Sequence, residues 1–291
     1  MTRRTTWCWI GTSSTGTSHL NAGEGCDDSW ACFEHEDGDR STLVAVVSDG
    51  AGSARFAEMG SRFVVQGFIE VVVRFLRSGR SAADVTDELA REWVDAIRDR
   101  IYCGAGKLSA TPRDFAATLV GAIVGKDRAV ICHVGDGACV LREHGLAEWH
   151  VPSWPAHGEY ASSTFFITDD PAPKVRVAHT PGEFAEIAVF SDGIERLVLD
   201  FATRKPFGPF FDQMFVPLRD GQSGRNRPLS QGLRRYLDSK GVTDRTDDDK
   251  SLSWLAKLAV KHDTAKCRTN VTRPYPSPRQ ANRQWRGGNS L

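Results

Sequence analysis

The order of apolar runs and amphipathic segments predicts an α+β fold, two packed sheets with helices on their outer faces. Two observations carry this expectation. Short apolar runs rich in β-branched residues recur along the chain, and several stop at an Asp-Gly pair. Two long segments of helical periodicity sit together between the first and second of these runs. A regular βαβ protein would instead alternate them one by one.

Taken in order, Thr42 to Val47 reads as a buried strand that stops at Ser48-Asp49-Gly50. Glu58 to Arg77 then places Phe63, Val64, Phe68, Val71, Val72 and Phe75 on one broad helical face. Ser81 to Tyr102 opens Ser-x-x-Asp, an N-cap signal, and repeats Val85, Leu89, Trp93, Ile97 and Ile101. An antiparallel helix pair on one face of a sheet follows. Phe115 to Val124 is the next strand. Ala129 to Val134 ends at Gly135-Asp136-Gly137, and Ala138 to Arg142 resumes at once, as the second arm of a hairpin would. Phe184 to Phe190 ends at Ser191-Asp192-Gly193, and Ser251 to Val260 is the last strand. Helices are expected at Ile194–Asp200 and Leu229–Ser239. Between them Pro206, Pro209, Pro217 and Gly221 point to an irregular loop or flap. Trp149 and Trp154, beside Pro152 and Pro155, are expected in a loop, whereas Trp7, Trp9 and Trp30 are expected to pack at the core or its rim.

The chain has 291 residues, 40% of them hydrophobic, enough for one sizeable core. Thirty-seven basic residues balance thirty-seven acidic ones, so no global field favours nucleic acid or an anionic membrane. The balance breaks from Lys261 onward, where basic residues and prolines accumulate without apolar periodicity. One domain over residues 1–260 and a basic, disordered tail over 261–291 are expected. No apolar run is long enough for a membrane helix, and the first residues do not resemble a signal peptide. Seven cysteines without a close CxxC pair fit a reducing cytoplasm, and Cys132 and Cys139 read as buried thiols.

Five Asp-Gly dipeptides occur, at Asp37, Asp49, Asp136, Asp192 and Asp220. Asp37 and Asp220 lie in polar surroundings and read as turns. The other three each end a strongly apolar strand, which projects a carboxylate from the rim of the core, and the glycine lets the backbone approach a ligand. Asp27-Asp28 lies upstream, and Asp247-Asp248-Asp249 directly precedes the last strand. Carboxylates gathered at one sheet edge repel unless a cation sits among them. Oxygen donors without a His/Cys pattern suit Mg²⁺ or Mn²⁺ rather than Zn²⁺.

The ordered series Gly-x-x-Cys-Asp-Asp (23–28), Val-Ser-Asp-Gly-Ala-Gly (47–52), Ala-Thr-Leu (117–119), Val-Gly-Asp-Gly (134–137), Phe-Ser-Asp-Gly-Ile (190–194) and Asp-Asp-Lys-Ser-Leu (248–252) resembles the PP2C/PPM phosphatases, nearest to their divergent bacterial branch. The resemblance implies an α-β-β-α sandwich of two antiparallel sheets flanked by helices. It implies two Mn²⁺ or Mg²⁺ ions, with Asp49 bridging both and the Gly50 carbonyl on the second. Asp192 and Asp248 would hold the first ion. Asp27 falls where the family usually has Glu or Gln, and Asp28 matches the following Asp. Asp136 corresponds to a carboxylate of a third, weaker ion. Catalysis would then rest on Asp49 and Asp192, through a metal-activated water that attacks phosphorus in line. The implied reaction removes phosphate from phosphoserine and phosphothreonine in proteins, opposing a serine/threonine kinase, in a cytoplasmic monomer.

Three positions depart from the family pattern. Ala51 stands where eukaryotic members have a histidine general acid, a group that contributes ~10²–10⁴-fold. Gly23 replaces the phosphate-binding arginine, with Arg55 and Arg62 nearby but unaligned. Arg196 occupies the usual third-metal carboxylate, with Glu195 beside it, and His19 reads as a hydrogen-bonding residue. These departures motivate an alternative, a phosphoprotein-binding or regulatory module on the same fold with little turnover.

Overall fold

The computed structural model describes residues 7–38, 40–156 and 164–258. The expected basic tail and the end of the last predicted strand, at Val260, lie outside the described residues. The strands are β1 (Trp7–Ser14), β2 (Ser29–Asp37), β3 (Arg40–Ser48), β4 (Leu119–Val124), β5 (Arg128–Val134), β6 (Ala138–Glu143), β7 (Trp149–His150), β8 (Arg176–Pro181), β9 (Phe184–Phe190), β10 (Leu199–Asp200), β11 (Lys205–Pro206), β12 (Gly224–Arg225) and β13 (Lys250–Lys257). The helices are α1 (Thr17–Ala22), α2 (Ala57–Arg77), α3 (Asp87–Lys107), α4 (Glu195–Val198), α5 (Gly208–Arg219), α6 (Arg227–Leu237) and α7 (Lys240–Thr243).

One sheet has the order β2-β3-β4-β5-β8, the other β12-β1-β13-β9-β6-β7, and β10-β11 form a small hairpin. Apart from the parallel β1–β12 contact, the pairings are antiparallel. The two sheets face each other. Leu43, Ala45 and Val47 of β3 point inward with Val120, Ile131, Leu141, Ile187, Val189 and Leu255. Val44 and Val46, on the alternate face, pack with Phe68, Val72, Trp93 and Ile97 of α2 and α3. Because both faces are covered, β3 is a continuous apolar run rather than an alternating one. The outer face of the second sheet carries α5 and α6, through Phe211, Phe215 and Leu233 against Phe190 and Trp254. This is the expected sandwich with helices outside.

Several local expectations are corrected. The Gly135-Asp136-Gly137 turn does not close a hairpin, because β5 pairs with β4 and β8 while β6 pairs with β7 and β9. It carries the chain from one sheet to the other, and both glycines take positive φ, 91° and 78°. The Pro-rich segment before α6 is not a bare flap but contains α5. Pro209 sits in that helix's first turn, where no N–H is needed, and Phe211, Met214, Phe215 and Leu218 are buried along one side. The helix predicted from Ser81 breaks after a short 3₁₀ turn at Ala82–Asp84 and restarts at Asp87, capped by Thr86. The strand predicted from Phe115 begins only at Leu119, after a 3₁₀ turn at Pro112–Phe115. The helix predicted over Ile194–Asp200 is shorter, and its end pairs as β10. Trp149 is not a loop contact: it is 8% exposed and packs on Phe211 and Phe215.

Candidate metal centre

Three strand ends, those of β3, β5 and β9, and the two loops before β2 and β13 place acidic side chains at one rim of the sandwich. Asp49 follows β3. Its N–H donates to Thr118 Oγ1 at 3.0 Å, its carbonyl accepts from Thr118 N at 2.8 Å, and Ser48 Oγ donates to the Thr118 carbonyl. The Ala-Thr-Leu motif is therefore a clamp on the Asp49 backbone. Gly50 is packed so closely that a Cβ would lie 2.5 Å from the Ala57 carbonyl oxygen and 2.8 Å from that of Asp27. Asp192 follows β9, and a Cβ on the adjacent Gly193 would lie 1.9 Å from the Asp249 carbonyl oxygen.

Asp49, Asp136 and Asp192 each present a carboxylate oxygen within 4.8 Å of the other two. Asp28 joins them. It is 5% exposed, accepts from Ser191 Oγ at 2.7 Å through Oδ2, and stands in hydrogen-bonding contact with Asp49. Ser191 is itself fixed, accepting from Ser251 N at 2.9 Å. Burial raises the Asp28 carboxyl to about 7, against hydrogen bonds from Asp49 and Ser191 that lower it, and raises Asp192 to about 8, where the charges of Asp136, Asp248 and Asp28 add to the rise. Burial, followed by the charges of Asp28, Asp192 and Asp136, holds Asp49 well above the carboxylate range. Oδ1 of Asp28 and Oδ1 of Asp192 are buried with no hydrogen-bond donor. Oxygen-only donors, mutual repulsion and two donorless oxygens together fit a hard divalent cation.

Asp27 and Asp248 stand at the edge. Asp27 donates its N–H to Asp249 Oδ2 at 2.6 Å, and its carboxylate lies 3.8 Å from His19 Nε2. Asp248 has an exposed position, but its charge reaches Asp28 and Asp192. His19 lies 3.0 Å from Asp249 Oδ2 through Nδ1, the hydrogen-bonding role expected for it. Arg62 pairs with Glu58 on the surface, and Arg55 is exposed beside the Phe56 ring.

The sequence profile of Protein phosphatase 2C matches residues 15–238. The chain belongs to the protein phosphatase 2C family. It is 34% identical to Serine/threonine-protein phosphatase 3 of Escherichia coli (strain K12) over 250 residues, covering 85% of this chain and 97% of that relative. Among solved structures it shares its fold with a bacterial serine phosphatase (TM-score 0.56, 16% identity, 87% of this chain and 98% of that one). It does so also with the serine/threonine phosphatase Stp1 from Staphylococcus aureus (TM-score 0.54, 16% identity, 85% and 94%).

Within this protein phosphatase 2C fold, five polar residues at the rim have roles that the sequence reading did not assign. Asp249 is 2% exposed and accepts from Gly16 N, Asp27 N and the His19 ring, lashing three segments together. Lys250 is fully buried and donates to the Asp248 carbonyl at 2.8 Å. The other three pin the Gly135-Asp136-Gly137 turn. Arg176 donates to the Gly135 carbonyl at 2.7 Å. The buried His133 must donate from Nε2 to the Asp136 carbonyl, so its Nδ1 accepts from Ser153 Oγ at 2.8 Å. Burial, with Arg176 adding to it, lowers this imidazole to about 3, so it is neutral. Glu195 accepts from Gly137 N through Oε1.

Glu195 also changes the reading of Arg196. The arginine is exposed, whereas Glu195 is 3% exposed and burial, then Asp136 and Asp192, raise its carboxyl to about 9. The cation expected to oppose a third ion is on the surface, and the buried side chain next to Asp136 and Asp192 is the Glu195 carboxyl. Its position three residues after Asp192, one helical turn on the same face, is the signal that identifies it.

Proposed function

We propose that this protein is a divalent-cation-dependent phosphatase of phosphoserine and phosphothreonine in proteins. Asp49 and Asp192 would be its essential carboxylates. The observation that carries the reading is the convergence of Asp28, Asp49, Asp136 and Asp192 with buried donorless oxygens among them. Asp28, Asp49 and Asp192 would hold Mn²⁺ or Mg²⁺, with Asp27, Asp248 and the Gly50 carbonyl completing two sites from the edge. Asp136 would serve a third ion, and Glu195 is the carboxyl next to it. When bound, such ions supply an activated water nucleophile and offset charge on the phosphoryl oxygens.

The chain's own residues do the positioning. Thr118 and Ser48 fix the Asp49 backbone, Ser191 orients Asp28, and Asp249 holds the loop that carries Asp27. Ala51 is 8% exposed and offers no proton, so the leaving alkoxide would take its proton from solvent. A serine/threonine kinase would supply the substrate. The free thiols of Cys8, Cys26, Cys32, Cys103, Cys132 and Cys139 fit a cytoplasmic setting. Among the described residues no helix is long and apolar enough to cross a membrane. The alternative, a binding module with little turnover, leaves the retained carboxylate cluster without a purpose.

The test is hydrolysis of p-nitrophenyl phosphate and a phosphothreonine peptide with Mn²⁺, and with EDTA. Activity should require the metal and vanish in Asp49→Ala and Asp192→Ala. Full activity in EDTA would overturn the proposal.

A further inference from the structure

The turn that presents Asp136 is flanked by aromatic and cationic side chains that the metal centre does not use. Arg204 lies in the tight turn between β10 and β11, with φ of 52°, a left-handed conformation that an arginine adopts at a cost. The turn is stiffened by Asp200 Oδ1, which accepts from Ala202 N at 2.9 Å and Thr203 N at 3.1 Å. That geometry sets the Arg204 guanidinium 5.0 Å from the Trp154 ring, while Phe201, 40% exposed, meets the same indole edge-on at 5.9 Å. Lys205 is exposed next door.

A second pair belongs to the segment that packs against Gly135: Lys174, exposed, lies 4.6 Å from the Phe165 ring. Both pairs are anchored at Gly135. Its carbonyl accepts from Ala156 N at 3.1 Å and from Arg176, which also donates to the Trp154 carbonyl. A Cβ on Gly135 would lie 2.5 Å from the Phe165 carbonyl oxygen. So the backbones that carry two cation-bearing aromatic faces meet at the residue preceding Asp136, one of the clustered carboxylates.

We propose that this rim, formed by Trp154, Phe201, Arg204, Phe165 and Lys174, docks the substrate polypeptide beside its phosphorylated residue and selects acidic side chains there. Charge is the discriminating observation. The carboxylates of the centre are taken up by its ions, whereas this flank offers cations, Arg204 and Lys174, set on aromatic faces and left for an acidic chain. Aromatic faces also give a polypeptide apolar contact that a small phosphate ester lacks. The inference rests on the phosphatase reading and names the substrate feature that reading leaves open.

The experiment compares two phosphothreonine peptides identical except for glutamate or lysine flanks. It measures kcat/KM with Mn²⁺ and, separately, Kd by fluorescence anisotropy. The wild type should favour the glutamate peptide by about fivefold at low salt, as a few exposed charge contacts allow, and less at high salt. Arg204→Glu with Lys174→Glu should abolish or reverse the ratio. Arg91→Glu with Arg74→Glu, the same charge change placed on the exposed faces of α3 and α2, should leave the ratio in place. A wild-type ratio near one, or a ratio that survives the double variant, overturns the docking surface. If p-nitrophenyl phosphate and both peptides go unhydrolysed, the phosphatase reading alone fails, and the anisotropy ratio in the same proteins still decides the docking surface.

Discussion

Replacing Glu195 with glutamine should stabilise the metal-free protein, although most substitutions at a 3% exposed position destabilise. The carboxyl sits at about 9 against an ordinary value of 4.5, first through burial and then through Asp136 and Asp192. Between those values the unfolded chain ionises this group while the folded chain keeps it protonated. The folded state therefore binds the extra proton, and stability is lost as pH rises from 4.5 toward 9. At about 1.4 kcal/mol per pH unit, the upper limit at pH 7 is about 3 kcal/mol. Glutamine is neutral at every pH, is nearly the same shape, and keeps an oxygen to accept the Gly137 N–H. It removes the ionisation term and little else.

The assay is denaturant or thermal unfolding in EDTA from pH 4.5 to 8, for wild type and Glu195→Gln. Reading the difference between the two proteins cancels the titrating groups that do not interact with Glu195, including the neutral buried His133, which favours the opposite slope below its ordinary value. The difference should be near zero at pH 4.5 and grow steadily, reaching about 5–10 °C in Tm at neutral pH for a domain of this size. A difference that is flat with pH, or a variant less stable than wild type at pH 7–8, refutes the placement of Glu195 as a buried neutral acid. Divalent cation should shrink the difference only if Glu195 feels the bound ion.

Asp49→Asn should abolish phosphatase turnover and yet raise Tm in EDTA, because it removes a buried acid that burial and the charges of Asp28, Asp192 and Asp136 disfavour in its ionised form; differential scanning fluorimetry should also find the stabilisation by Mn²⁺ diminished. Thr118→Val removes the acceptor for the Asp49 N–H at a 2% exposed site, so unfolding should show a loss of about 1–3 kcal/mol. The same variant should lower kcat more than it raises KM. Gly193→Ala, whose Cβ would fall 1.9 Å from the Asp249 carbonyl oxygen, should cost about 1–3 kcal/mol or more and weaken Mn²⁺ binding measured by calorimetry.

The buried strands were legible because β3, β4, β5, β9 and β13 are covered on both faces and so read as apolar runs. β1, β2 and β8 were not. β1 mixes Trp and Ile with Gly, Thr and Ser, β2 carries Glu34, His35 and Glu36, and β8 carries Arg176, His179 and Thr180. Their pairing is dictated by neighbours distant in sequence, not by their own composition. The supposed hairpin at Gly135–Gly137 failed for a similar reason. Local turn chemistry fixes a reversal of the chain, but which sheet receives the next strand depends on long-range partners. At the site, Asp28, Asp49, Asp136 and Asp192 stood out by position and motif order. Lys250, Asp249 and Arg176 act through burial and backbone contacts that no spacing reveals.

Strand direction alone explains why carboxylates from residue 27 to residue 248 share one rim. β3, β4 and β5 are successive antiparallel neighbours, so β3 and β5 end on the same side, bringing Asp49 beside the turn that holds Asp136. β2 runs against β3, so it starts where β3 stops and leaves Asp27 and Asp28 there. In the facing sheet β9 ends at that rim, β6 and β13 start there, and β1, antiparallel to β13, delivers Gly16 and His19. The crossing at Gly135–Gly137 then fixes how the two rims align, because β5 ends and β6 begins within that turn. A register slip of one residue in β9 would turn its inward side chains to the other face and displace Asp192. The core packing of Ile187 and Val189 that defines the sandwich thus also sets the position of the carboxylate on which the proposed chemistry depends.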